Sequence, residues 1–200
     1  MFTRQLVLVF AGGLLVPPAA ESASPAPPVR VTARLYNTAQ VPDVMKDAAL
    51  RVATGALIAG GIDLRWTDCD LADACGTAPA RGELVIRLAR SADQPSSGPR
   101  HQTPVVLGQA LIDIRERTGV LATIFVDSVE LIAALSEIDA ALLLGRAIAH
   151  ELGHLLLGTN AHSVHGLMRA QWTPADVRRH AIADWALTTE EAAAIRRRLQ

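Results

Sequence analysis

The segment AHELGHLLLGTNAHSVHGLM, residues 149–168, constrains the fold more than any other part of the chain. It carries four of the six histidines, and its first half is rich in alanine and leucine. An apolar run of this kind predicts a buried helix, and a buried imidazole needs a hydrogen-bond partner or a metal ion. The fold must therefore provide a polar site within its core, at this helix.

The first two histidines of the segment share one face of the predicted helix. His150 and His154 are four residues apart, and such residues are rotated by only about 40° from one another. Both imidazoles can reach one ion, and neutral imidazole suits Zn²⁺. Glu151 points to the side, where it can hold a water molecule without replacing it. This H-E-x-x-H pattern predicts two zinc ligands and a general base.

A catalytic zinc ion takes three protein ligands and keeps one open position. Gly158 predicts a left-handed helix end, which turns the chain back so that a later residue meets the metal. His162 and His165 are the candidates for the third ligand. A second alternative is a downstream carboxylate, from Glu190 or Glu191.

The same segment resembles the metzincin metallopeptidases, and in particular the matrixins. That family carries H-E-x-x-H-x-x-G-x-x-H, followed by a methionine turn beneath the zinc. Here HELGH, Gly158, HS and GLM occur in the same order. The spacing diverges, because Gly158 follows the second histidine by four residues instead of three, and His162 follows it by eight instead of six.

The resemblance implies roles for five residues: His150, His154 and His162 as metal ligands, Glu151 as the base, and Met168 as the methionine of the turn. It also implies one catalytic Zn²⁺ and a zincin-like domain, with a mixed twisted sheet, an active-site helix and C-terminal helices. A peptide or protein substrate would lie extended along a sheet edge. The segment VLATIFV, residues 120–126, is the predicted edge strand.

The periodicity of apolar residues along the chain predicts an α+β domain. Alternating stretches predict strands at 29–36, 62–66 and 82–89, and a β-hairpin formed by residues 105–114 and 120–126. Helical spacing and capping residues predict helices at 42–59, 128–135, 139–157 and 189–199.

The amino-terminal residues predict export. Arg4 precedes an apolar stretch at residues 6–16, followed by small residues; this is typical of a secretory signal peptide and too short to span a bilayer comfortably. We therefore expect a signal peptide at 1–23, a linker at 24–28 and a single domain at 29–200, secreted or periplasmic and without a membrane anchor after cleavage. In such a compartment Cys69 and Cys75 are expected to form a disulfide.

The net charge of −1 provides no basic field for nucleic acid. The combined features predict an exported zinc-dependent endopeptidase in which Glu151 acts as the general base. The alternative function is that of a zincin-fold binding or structural protein, which keeps zinc and turns over nothing.

Overall fold

The computed structural model describes residues 27–70, 73–91 and 105–200. The predicted signal peptide and residues 24–26 of the predicted linker lie outside the described residues. Export, cleavage and the domain boundaries therefore stay predictions.

Within the described residues, five strands form one mixed sheet in the order β2-β1-β3-β5-β4. Neighbouring strands pair in parallel, except for β4, which runs antiparallel to β5. The alternation predicted from the sequence holds in β1, where Val31, Ala33 and Leu35 are buried. The strands are β1 (Val29–Asn37), β2 (Ile62–Asp68), β3 (Leu84–Ala89), β4 (Gly108–Asp113) and β5 (Thr118–Phe125).

The predicted hairpin is present as β4 and β5, but the prediction that VLATIFV is the edge strand is wrong. That segment contains most of β5, which pairs with β3 on one side and with β4 on the other. The hairpin places its first strand outermost, so β4 forms the edge of the sheet. Periodicity shows that a segment is a strand, but the order of strands is decided by pairings between distant segments.

All four predicted helices are present, together with one short helix that the sequence analysis missed. The missed helix begins after Thr173, whose hydroxyl and backbone N–H form a capping box with Asp176. A turn of 3₁₀ helix, Ile182–Trp185, was also not predicted. The helices are α1 (Asp43–Ile58), α2 (Val126–Ser136), α3 (Ala140–Leu157), α4 (Pro174–Val177) and α5 (Thr189–Leu199).

Helix α3 is the central element of the core. Its N-terminus is capped by the Asp139 carboxylate, which accepts from two backbone N–H groups. It packs against α1 at Gly145, where a Cβ atom would lie 2.5 Å from both the Ala49 carbonyl oxygen and the Val52 Cβ. Helix α3 also contacts β4 and β5, so it lies between α1 and the edge of the sheet.

Among the described residues, α3 is the one helix long and apolar enough to cross a membrane by composition. Of the residues in this helix, 89% are instead buried within the fold. A core helix with this burial needs no lipid to cover it.

Candidate metal centre and active site

The first two histidines are held in place by main-chain carbonyl groups. The His150 Nδ1 atom lies 2.8 Å from the Leu167 carbonyl oxygen, and the His154 Nδ1 atom lies 2.8 Å from that of Thr159. A carbonyl oxygen only accepts, so each Nδ1 atom must carry the proton. The Nε2 atom of each neutral ring therefore presents a lone pair to the site, as in histidine metal ligands supported by a second partner.

The two lone pairs face one another. The Nε2 atoms of His150 and His154 lie 3.1 Å apart and are buried. Protonating one ring would relieve the repulsion, but burial lowers the pKa of His150 to about 4 and also lowers that of His154. Near neutral pH both rings are then neutral, and a cation bound by both lone pairs would replace their repulsion with attraction.

His162 approaches the same point from the loop that follows α3. Gly158 ends the helix with φ of +63°, and a Cβ there would lie 2.0 Å from the Arg117 carbonyl oxygen. The chain then turns back, so that one ring nitrogen from each of His150, His154 and His162 lies within 4.8 Å of the other two. His165 is exposed and is not a member of this group.

The donor set fits zinc. Two nitrogens bound to one tetrahedral Zn²⁺ at about 2.0–2.1 Å lie roughly 3.3 Å apart, close to the separation of the two buried Nε2 atoms. His162 is the exposed member of the three, so its side chain has room to adjust. Three imidazoles leave the fourth position for water or substrate, as in catalytic zinc sites.

The two downstream carboxylates considered as alternative ligands lie at the start of α5, and neither belongs to the group of three histidines. Glu191 forms a capping box with Thr188 and accepts a hydrogen bond from the Ser163 hydroxyl. It therefore connects α5 to the loop that carries His162. Glu190 is exposed.

Glu151 is a buried carboxylate beside the histidines, only 7% exposed. Desolvation raises the pKa of Glu151 to about 7, although a hydrogen bond from the Ala110 backbone N–H acts in the opposite direction. Gly108 lies against the same carboxylate, since a Cβ at this position would be 2.7 Å from Glu151 Cγ. The edge strand β4 therefore both orients the carboxylate and covers it.

Met168 lies beneath the helix that carries the histidines. It is fully buried, and a Cβ atom on Gly153 would lie 2.3 Å from its sulfur. The glycine within HELGH is thus the residue that lets the thioether approach α3. The preceding residue, Leu167, supplies the carbonyl that orients His150, so this turn fixes the position of one ring.

A cleft of about 740 Å³ opens beside the histidines, within the size range of ligand-binding sites. Its lining includes residues 105–110, at and just before the start of β4, and residues 169–172. The Trp172 ring packs edge-on against His150, with ring centroids 5.4 Å apart. Because β4 is the outermost of the described strands, the cleft is bordered by a strand whose outward backbone groups, apart from the Ala110 N–H bound to Glu151, pair with no other strand in the described part of the chain.

Three contributors to the site were missed or undervalued in the sequence. Gly108 lies within a strand, where an isolated glycine indicates close approach of a neighbour. Neither Trp172 nor Arg169 is among the site residues predicted from the sequence, although both closely follow Met168. Proximity to the methionine turn was the available signal.

Cys69 and Cys75 form a disulfide at the end of β2. The backbone N–H of Cys69 donates to the Leu35 carbonyl, and the Tyr36 hydroxyl donates to the Cys75 carbonyl. The cystine loop is thereby attached to β1, and neither cysteine belongs to the metal centre.

No protein-family model matches the chain, and no curated protein matches it. Among solved structures, it is similar to the 1.5 Å crystal structure of archaemetzincin from Methanopyrus kandleri. The identity is 14% and the TM-score is 0.46, over 88% of this chain and 98% of that chain. A likeness at this level carries no argument about function.

Proposed function

We propose that this chain is an exported zinc-dependent peptidase that hydrolyses peptide bonds with Glu151 as the general base. The observation that supports it most directly is the position of this buried carboxylate. It lies beside the Nε2 atoms of His150 and His154, which are 3.1 Å apart. It also accepts a hydrogen bond from the Ala110 backbone N–H of the edge strand.

His150, His154 and His162 would hold the zinc ion. A zinc ion in such a site lowers the pKa of a water molecule to about 7 and polarises a carbonyl group. Glu151 takes a proton from the attacking water and passes it to the leaving amine. In the metal-free site burial raises the pKa of Glu151 to about 7, so this carboxyl group is able to hold a proton, as a group that first accepts and then donates one must.

The edge strand supplies the means of binding an extended chain. A peptide in the cleft can pair by strand addition with the outward backbone groups of β4 that Glu151 does not occupy. This mode of binding uses main-chain hydrogen bonds and tolerates many side chains. Gly108 and Ala110 contact the Glu151 carboxylate from this strand. A peptide bond of a substrate that pairs with β4 would therefore lie next to Glu151.

Export and the disulfide belong to the same proposal. The signal-like residues 1–23 would direct the chain out of the cytosol, and the Cys69–Cys75 bond is suited to an oxidising compartment.

The variant Glu151→Gln tests the peptidase proposal, because it preserves size and hydrogen bonding but removes the base. We expect zinc stoichiometry to stay near one per chain while hydrolysis of a broad peptide library falls by about 10²-fold or more. The control Glu190→Gln, at an exposed site, should retain both zinc and hydrolysis. His150→Ala and His154→Ala should each lose stoichiometric zinc.

The results separate the peptidase from a binding protein that keeps zinc without turnover. If the zinc-loaded wild type hydrolyses no peptide faster than Glu151→Gln does, the peptidase proposal is wrong. If zinc occupancy is complete in both histidine variants, the metal centre lies elsewhere.

A further inference from the structure

The wall of the cleft beside His150 contains three buried hydrogen-bond donors without an acceptor among the described residues. They are the Nε and Nη2 atoms of Arg169 and the indole Nε1 atom of Trp172. Both residues line the cleft, and Trp172 packs directly against His150. Buried donors are rarely left unpaired. Both side chains border the cleft, and that of Arg169 is 11% exposed, so a small side-chain rotation toward the cleft would bring these donors to an acceptor on a bound ligand.

The arrangement of the Arg169 donors indicates the chemistry of that acceptor. Its Nη1 atom is already bound to the Asp176 carboxylate at 2.7 Å. The two unpartnered atoms form the opposite edge of the planar guanidinium, where two N–H groups point in parallel. Such an edge matches the two oxygens of a carboxylate.

The charges below the wall also favour an anion. Arg146 is buried and packs its guanidinium on the Trp185 ring, 3.8 Å from the centroid, and Arg169 approaches the same ring at 5.3 Å. Two main-chain carbonyl groups accept from Arg146, and they neutralise none of its charge.

The acids of this cluster do not balance its cations. Arg179 adds a third guanidinium, and the carboxylates in contact with the cluster are Asp176 and Asp184. Three positive charges against two negative charges leave one excess positive charge, which a ligand carboxylate would neutralise.

We propose that the wall formed by Arg169 and Trp172 binds a carboxylate of the substrate, next to the peptide bond that is cleaved. This inference rests on the proposed function, because His150 and Glu151 define where that bond lies. The carboxylate has two possible sources: an Asp or Glu side chain beside the cleaved bond, or the free C-terminus of a short substrate.

Matched peptides distinguish the two sources. One series carries Glu or Gln at each position flanking the cleaved bond, with both ends blocked. A second series ends one or two residues after that bond, as a free acid or as an amide. We expect kcat/KM to favour the carboxylate member of one series by about 10-fold or more, the scale of a charge-assisted hydrogen bond.

Two variants and one matched control assign the preference to the wall. Arg169→Gln should reduce the ratio between the paired peptides to about one. Trp172→Phe removes the indole donor but keeps the ring packing, and should lower the ratio by roughly 3-fold. The control Asp176→Asn breaks the same ion pair but leaves the guanidinium in place, and should keep or raise the ratio.

Equilibrium binding separates this inference from the peptidase proposal. The same peptides are titrated calorimetrically into zinc-loaded Glu151→Gln protein, where turnover is not needed. Tighter binding of the carboxylate member supports the wall even if the wild type hydrolyses nothing. The inference would be overturned if the wild type hydrolysed both members of each peptide pair equally and the Glu151→Gln protein bound them equally. It would also be overturned if the ratio of kcat/KM between paired peptides were unchanged in both Arg169→Gln and Trp172→Phe. In either case the peptidase proposal is left standing.

Discussion

The substitution Glu151→Gln should stabilise the metal-free protein, and the gain in stability should grow as the pH rises. Glu151 is also the general base of the proposed peptidase. Burial raises the pKa of Glu151 from 4.5 to about 7. Between these values the folded chain holds a proton that the unfolded chain has released. The folded state therefore loses stability as the pH rises through this interval, because a charged carboxylate must be kept in the core.

The size of the effect follows from the shift in pKa. A difference of about 2.5 units corresponds to roughly 3 kcal/mol once both states are deprotonated, and to about 1 kcal/mol near pH 5. Glutamine resembles the protonated carboxyl group and avoids this cost. The lowered pKa values of His150 and His154 affect wild type and variant alike, so they cancel in the comparison.

The measurement is urea unfolding of chelator-treated protein at pH 5 and at pH 8. We expect Glu151→Gln to exceed the wild type in unfolding free energy by about 1 kcal/mol at pH 5 and by up to about 3 kcal/mol at pH 8. The control Glu116→Gln changes an exposed glutamate and should stay within about 0.5 kcal/mol at both values. A difference that fails to grow between pH 5 and pH 8 would refute the assignment of a buried, costly carboxylate.

Three further predictions concern the metal, the helix and the disulfide. His162→Ala should lower zinc affinity sharply in a competition titration while His165→Ala changes it little, and the reverse result would move the third ligand to His165. Gly153→Ala should destabilise the fold by about 1–3 kcal/mol in urea, because its Cβ would overlap the buried methionine sulfur; Gly55→Ala, with open space around its Cβ, should stabilise by up to about 1 kcal/mol. Mass spectrometry of the exported protein without reductant should detect no alkylatable thiol, and two free thiols would contradict both the disulfide and the export prediction.

Local sequence was sufficient to predict most of the elements. The spacing of apolar residues and the capping signals located α1, α3 and α5 to within a residue or two at most ends, because these patterns report which side of an element is buried. Helix α4 was not predicted, because four residues are too few to show periodicity and only its capping box indicates it. Short-range chemistry thus shows where a helix or strand lies along the chain.

The pairing of His150 and His154 on one helix face was likewise determined by sequence alone, because a helix fixes the relative direction of residues four apart. What brings His162 rather than His165 to the same point is the path of a loop, set by the turn at Gly158 and by packing against α5. Loop paths depend on contacts with distant segments, and a single sequence does not display them.

Tertiary structure also decided which strand borders the site and which groups surround it. β4, and not β5, forms the edge, because strand order follows from long-range pairing. The contact of Gly108 and Ala110 with Glu151 joins residues about forty positions apart. Folding removes water from around the Glu151 carboxylate and the Arg169 guanidinium. This burial raises the pKa of the first and leaves donors of the second without a partner, and it depends on how all the helices and strands pack together.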